Sequence, residues 1–302
     1  MAAARTQAVT VDGRELSLSN LDKVLYPATG TTKGQVIEYY ARVAPTMLPH
    51  LAGRGVTFNR FPNGVEQKGF FEKRCAKHRP QWVPTAIGPG DRDGVIRYCV
   101  IDEPAALVWA ANLAALELHA PMALADDLES PRMVVFDLDP GPPAAIADCA
   151  RTALAVRDVL GAVGLESWPK SSGSKGLQLY VPVNTRCTHE HAASFALAVG
   201  QLLERQHPGQ VLTSMTKADR KGKVFIDWSQ NARHKTTIAV YSMRARPHPT
   251  VSTPVTWDEV TEAAAGHTEL RFLWSDVLDR IERLGDLFAP VLTVEQELPG
   301  PP

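Results

Sequence analysis

The 302 residues contain no uninterrupted apolar run approaching the roughly 18–20 side chains that span a bilayer. The N-terminus, MAAARTQAVTVDGRE, lacks the apolar stretch of a secretory leader. These absences set the expectation of a cytoplasmic protein with no membrane partner. Cysteine is sparse: Cys75, Cys99, Cys149 and Cys187 lie far apart and form no CxxC pair. Neither a disulfide scaffold nor a zinc ribbon is therefore expected. Cys75 and His78 make a single C-x2-H, which is only half of a tetrahedral metal site. The phosphate-binding signature GxxxxGK[ST] is missing, and so are internal repeats and glycine-rich linkers. What remains is 44% hydrophobic and 22% charged, an ordinary globular composition for one large domain or two.

A dominant charge sign is missing too, since the net charge is only −1. That average conceals segregation. Residues 1–100 hold 14 Lys+Arg against 8 Asp+Glu, and residues 171–250 hold 11 against 4. Residues 101–170 hold 4 against 11, and residues 251–302 hold 3 against 10. Basic blocks flanking an acidic one suit a polyanion handled together with metal ions, although solvated charged faces would segregate in the same way.

Periodicity places a helix after Thr32 through Val36, Tyr39, Tyr40, Val43 and Met47, with Pro45 and Pro49 expected to kink or end it. Strands are expected at 56–60, 69–73 and 95–101, the last after the turn-rich GPGDRDG at 88–94. Pro104 opens an Ala-rich helix to about 115, and LELHA at 116–120 reads as a strand. MVVFDLD at 133–139 is a β-prone run stopped by PGPP. A helix over 144–162, a strand at 176–183, a helix over 189–206, strands at 223–228 and 237–241, and a helix over 274–284 complete the pattern. Alternating helices and strands mixed with hairpin spacings predict a mixed α/β fold, two lobes with mixed sheets flanked by helices. One domain is expected over 1–288, followed by a disordered tail at 289–302.

The strongest chemical signal is Asp137-Leu138-Asp139 at a strand end. Residues i and i+2 share a face, so two like charges project together, and a shared cation would relieve their repulsion. An Asx turn is the alternative reading of DLDPG. Asp227, in the β-prone KVFIDWS, supplies a third carboxylate or simply caps a strand end. Paired carboxylates with a third on a neighbouring strand can hold two divalent ions for in-line phosphoryl transfer. The loop Ser171-Ser172-Gly173-Ser174-Lys175-Gly176 offers backbone N–H groups and one ammonium to a phosphate. Lys235, Arg244 and Arg246 flank the strand expected at 237–241. Arg244 and Arg246 share a parity that, in an extended chain, suits a triphosphate tail as well as a solvated edge.

FDLDPG, SSGSKGLQLYVP and KVFIDWSQN, in this order and spacing, resemble the three motifs of the archaeo-eukaryotic primase superfamily. More closely, the chain resembles the polymerase domain of bacterial ligase D and stand-alone primase-polymerases. The likeness runs from LSNLDKVLYPATGTTKG through FPNGVEQKGFFEKR and LELH to TTIAVYSMRARPHPTV. It implies that Asp137, Asp139 and Asp227 are catalytic and bind Mn²⁺ or Mg²⁺. It implies nucleotide contacts at His119, Ser172, Lys175, Gln178, Lys235, Arg244 and Arg246. Asn20, Lys23 and Lys33 correspond to a pocket for a downstream 5′-phosphate on DNA. Phe70 and Phe71 correspond to aromatics stacking on template bases, although a buried role is open to both, and Arg220 corresponds to a template-positioning loop. Two departures stand out. Gln178 replaces the histidine that ends the second motif, and it can neither carry charge nor exchange a proton. Asn59 stands where some relatives are basic.

The implied activity is template-dependent nucleotide addition that fills short gaps or extends aligned broken DNA ends in non-homologous end joining. NTP or dNTP and gapped or broken DNA would be its substrates, Ku and a DNA ligase its partners, and the bacterial nucleoid its location. The alternatives are a catalytically weak module that holds 5′-phosphorylated ends and a metal-dependent phosphohydrolase, for which no water-activating base is evident.

Overall fold

The computed structural model describes residues 6–89 and 94–300, so most of the turn expected at 88–94 and the last two tail residues lie outside the described residues. The chain divides into two compact units interleaved in sequence. The first takes residues 1–120, 238–251 and 272–285, and the second takes 121–237, 252–271 and 286–302.

In the first unit, α1 (Lys33–Leu51) starts at a reciprocal capping box between Thr32 and Gln35. The helix runs through Pro45 and Pro49, so the stop that was one of the two expected outcomes does not occur at either. Its buried stripe, including Val36, Tyr39, Tyr40, Val43 and Met47, outweighs the lost backbone bonds. The Tyr39 hydroxyl donates to the Tyr241 carbonyl at 2.7 Å, which ties the returning segment 238–251 to this core, and the Tyr40 hydroxyl donates to the Leu116 carbonyl at 2.7 Å. Five strands of a six-stranded sheet lie here: β1 (Gly55–Arg60), β2 (Phe70–Glu72), β3 (Thr85–Pro89), β4 (Val95–Val100) and β5 (Ala115–Ala120). β5, β1, β4 and β3 follow one another, and β2 pairs with β1. Beside them packs α2 (Pro104–Asn112), which starts at the expected proline. Sequence reading passed over the N-terminal hairpin of Thr6–Val11 with Arg14–Ser19, although its Asp12-Gly13 turn, both residues at positive φ, carries a strong hairpin signal. It also missed a disulfide between Cys75 and Cys99, whose Cα atoms lie 4.8 Å apart. The loop before β3 brings Cys75 beside β4, where its N–H donates to the Arg97 carbonyl, an approach invisible in cysteine spacing.

The second unit is organised by a five-stranded sheet. Its strands are β6 (Met133–Pro140), β7 (Trp168–Ser171), β8 (Leu177–Pro182), β9 (Val211–Leu212) and β10 (Val224–Asp227), in the order β7-β8-β6-β10-β9. All neighbours are antiparallel except β9 and β10. One face carries Phe136, Leu138 and Ile226 against α3 (Ile146–Ala162) and α4 (His189–Gln206). Phe136 meets the Phe195 ring at 6.4 Å, and the Cys149 thiol reaches the Leu138 carbonyl. Residue alternation therefore sends Asp137 and Asp139 to the opposite face.

The strand expected at 237–241 shrinks to Thr237–Ile238, which forms β11 at the edge of the first sheet next to β5. The segment expected as a tail is described as far as residue 300. Ala289–Leu292 forms a short 3₁₀ helix, and Asn184 donates to the carbonyls of Val291 and Val294. Gln296 bonds across to Glu166 and Pro182. The polar composition of 293–300 hid these specific backbone partners. Two further helices, α5 (Trp257–Ala264) and α6 (Trp274–Leu284), complete the α-helices of the described residues, and no helix among those residues is long and apolar enough to cross a membrane.

Candidate active site

Strand register builds the acidic face. Asp137 of β6 stands directly opposite Gln178 of β8 on one side and Asp227 of β10 on the other. Directly opposed residues share a face, so Asp137, Asp139 and Asp227 lie on the side away from α3 and α4. Desolvation within the sheet, then the charges of Asp139 and Asp227, push the Asp137 carboxyl up to about 7, against the lowering effects of Gln178 and Lys170.

Asp227 does two things. One carboxylate oxygen accepts from the N–H and hydroxyl of Ser229, and the other accepts from Gln230 Nε2 at 2.9 Å. It thus caps the 3₁₀ helix Trp228–Asn231, the alternative its sequence context had allowed. Asn231, fully buried, exchanges two hydrogen bonds with the Val135 backbone and so continues the ladder beyond the end of β10. The run DWSQN is therefore one structural device holding Asp227 in place. In this side-chain arrangement, no three His, Cys, Asp or Glu side chains among the described residues converge closely enough to enclose a metal ion. The donor set nevertheless fits a hard cation. Two same-face carboxylates press on each other, and the three hydrogen bonds that Asp227 accepts leave one of about four carboxylate lone-pair positions.

The small-residue loop between β7 and β8 is held by its own hydroxyl. Ser172 Oγ accepts from the N–H groups of Ser174 and Gly176 at 3.3 and 3.2 Å. A Cβ at Gly176 would sit 2.4 Å from the Leu138 carbonyl oxygen, so only glycine lets this loop lie against β6. Lys175 reaches the Pro140 carbonyl at 3.1 Å, one residue beyond Asp139. Gln178, expected to touch nucleotide, instead donates its amide N–H to Asp137 Oδ1 at 3.0 Å and accepts from Lys170. Arg220 lays its guanidinium 3.7 Å over the Phe225 ring, the residue opposite Asp139, and its buried Nε has no hydrogen-bond partner. Lys235 is half-buried just past the 3₁₀ helix.

The remaining expected residues belong to the first unit. His119 and Arg244 meet on Glu117, which sequence reading passed over. Glu117 accepts from His119 Nε2 at 3.1 Å, Arg244 Nε at 3.0 Å, Asn59 Nδ2 at 2.9 Å and the Ala245 N–H at 3.0 Å. Burial opposes its ionisation, but His119, Arg244 and Asn59 outweigh burial and hold the carboxyl well below the usual range. The extended parity proposed for Arg244 and Arg246 is not realised. Their segment is irregular, Arg244 is committed to Glu117, and Arg246 is exposed. Phe70 and Phe71 are 46% and 60% exposed, which rejects a core role for both. Phe71 meets the His119 ring edge-on at 5.4 Å, and Arg60, also missed from sequence, covers Phe70. Lys23 donates to Asn63, and its backbone N–H to the carbonyl of Asn20, which stands at positive φ. Lys33 is buried, donating to the Ser19 carbonyl at 2.6 Å. Burial, then the charges of Lys23 and Arg60, lower its ammonium to about 8.

Residues 32–288 match the model of the LigD primase-polymerase domain. The chain is 45% identical over 276 residues to the multifunctional non-homologous end joining protein LigD of Mycolicibacterium smegmatis, covering 91% of this chain and 36% of that protein. Against the multifunctional non-homologous end joining DNA repair protein LigD of Mycobacterium tuberculosis it is 47% identical over 283 residues, with 91% and 36% covered. The chain thus spans 36% of the length of these curated relatives. Among solved structures, it matches the polymerase domain from Mycobacterium tuberculosis ligase D in complex with DNA. The TM-score is 0.86 at 44% identity, covering 93% of this chain and 99% of that one. Polymerase domains of this kind are metal-dependent nucleotidyltransferases. On a match that takes in both units, the chain belongs to the LigD primase-polymerase domain family and is a nucleotidyltransferase of the polymerase type.

Proposed function

We propose that this polymerase adds nucleotides to the 3′ end of a primer at short gaps or aligned broken DNA ends, directed by a template and by a downstream 5′-phosphate. The observation that carries the reading is the register of β8, β6 and β10, which sets Asp137, Asp139 and Asp227 on the face opposite α3 and α4. Asp137 and Asp139, with the remaining lone pair of Asp227, would hold divalent cations, Mn²⁺ or Mg²⁺. Such ions, when bound, supply the positive charge that favours an ionised attacking oxygen and a departing pyrophosphate. Lys175, held beside this face by the 172–176 loop, supplies an ammonium that orients phosphate, and Arg220 contributes a guanidinium fixed on Phe225.

Lys23 and Lys33 take the 5′-phosphate, and exposed Phe70 and Phe71 provide sequence-tolerant stacking. NTP or dNTP is the co-substrate, and Ku and a DNA ligase are the partners this role requires. A second reading, a weak end-holding module, is favoured by the occupied carboxylate of Asp227. One assay separates the two: gapped DNA bearing a 5′-phosphate, Mn²⁺ and labelled nucleotides, scored for one-nucleotide extension. Asp137→Ala is expected to reduce extension to background while DNA binding persists. Extension unaffected by this change overturns the metal assignment, and wild-type binding without extension favours the end-holding module.

A further inference from the structure

Lys170 is a fully buried lysine on the same side of the sheet as the catalytic carboxylates. It stands opposite Gln178, which stands opposite Asp137, so Lys170, Gln178, Asp137 and Asp227 form one row across four strands. The bonds along the row have a defined direction. The Ser252 hydroxyl donates to the Ser171 carbonyl at 3.0 Å, leaving its oxygen to accept from Lys170 Nζ at 2.7 Å. Lys170 Nζ also donates to Gln178 Oε1 at 2.6 Å. An ammonium has only donors, so the Gln178 oxygen must face it, and the Gln178 N–H₂ must then face Asp137, to which it donates at 3.0 Å.

We propose that Lys170 is a positioning residue for Asp137, acting through Gln178: it fixes the amide orientation and supplies the positive charge that a glutamine cannot carry. The inference rests on Asp137 being a catalytic carboxylate. It also changes the role of Gln178, whose oxygen is spent on Lys170 and one N–H on Asp137. A buried charge held in this way polarises the amide, strengthening the bond that aims the carboxylate.

The test is a double-mutant cycle in the full chain, using Lys170→Met, Gln178→Met and the pair, with steady-state gap extension and thermal midpoints measured for each. Both single variants are expected to lower kcat by about 10- to 100-fold, the usual scale for a lost hydrogen bond to a charged group, with nucleotide KM within about twofold. The pair is expected to be no slower than the slower single variant, because Lys170 has nothing to act through once Gln178 is gone. Multiplicative losses, unchanged kcat, or a rise confined to KM would each overturn the proposal. Should Lys170→Met fail to fold, Lys170→Gln takes its place in the cycle with the same expected outcomes, and Gln178→Met checks the link to Asp137: a kcat loss at constant KM supports positioning, and a KM rise marks a direct nucleotide contact. Asp137→Ala run in parallel separates the two levels. If it extends normally, the reading beneath fails; if it is inactive while Lys170→Met is normal, only the lysine's role fails.

Discussion

Glu117 and Asp137 are both enclosed carboxylates on β-strands, one in each unit, and their surroundings drive them in opposite directions. Glu117 is ringed by His119, Arg244, Asn59 and a backbone N–H, which keep it ionised despite burial. Asp137 faces Asp139 and Asp227, and burial with these charges outweighs the relief from Gln178 and Lys170, so its carboxyl is raised to about 7. A carboxylate whose charge is balanced by the fold holds the fold together. One left unbalanced is suited to a cation, the role proposed for Asp137.

Exchanging the two kinds of loss sharpens this contrast. Asp137→Ala should remove extension entirely and leave the thermal midpoint unchanged or higher, because it relieves like-charge repulsion. Glu117→Ala should destabilise by about 3 kcal/mol or more, since it leaves the Arg244 and His119 groups facing an empty carboxylate site; a midpoint within a degree of wild type would make the Glu117 cluster unimportant to stability.

A smaller effect follows from pH. The folded value of Asp137 lies above its unfolded one, so ionising it costs stability progressively as pH rises from about 4 to about 7, and the cost persists above that. Mn²⁺ should therefore raise the thermal midpoint by a few degrees at pH 8, much less at pH 5.5, and not at all in Asp137→Asn. A cation response that survives in that variant would place the ion elsewhere.

The smallest effect concerns Lys33. Its folded value near 8 lies below its unfolded one, so this group favours folding increasingly from about pH 8 to pH 10.5. Its charge, and with it part of the affinity for a 5′-phosphate, should fall across the same rise through pH 8. Lys23→Ala should weaken binding to gapped DNA chiefly when the 5′-phosphate is present. Equal weakening without the phosphate would refute the pocket.

The two carboxylate centres were not equally legible. Asp137, Asp139 and Asp227 could be read because an apolar strand ending in DxD fixes parity within three residues. Glu117 could not, since LELHA gives no sign that partners from positions 59 and 244 will enclose the one acid in an apolar strand. Lys170 was hidden for a related reason. WPKS is too short and irregular to announce β7, so its lysine reads as a loop residue until pairing with β8 sets its side. Helix ends were legible where capping chemistry is local, as at Thr32 and Pro104, whereas α1 overrode its two prolines through packing that no local window contains.

The cross-strand row constrains the hairpin that carries it. The five residues Ser172–Gly176 joining β7 to β8 set which side of the sheet Lys170 occupies. A one-residue slip of β7 against β8 would turn the lysine toward the helices while Gln178 stayed put. The register of that pairing is thus an odd-even switch on the surroundings of Asp137, and slips that keep the lysine on this side come in steps of two.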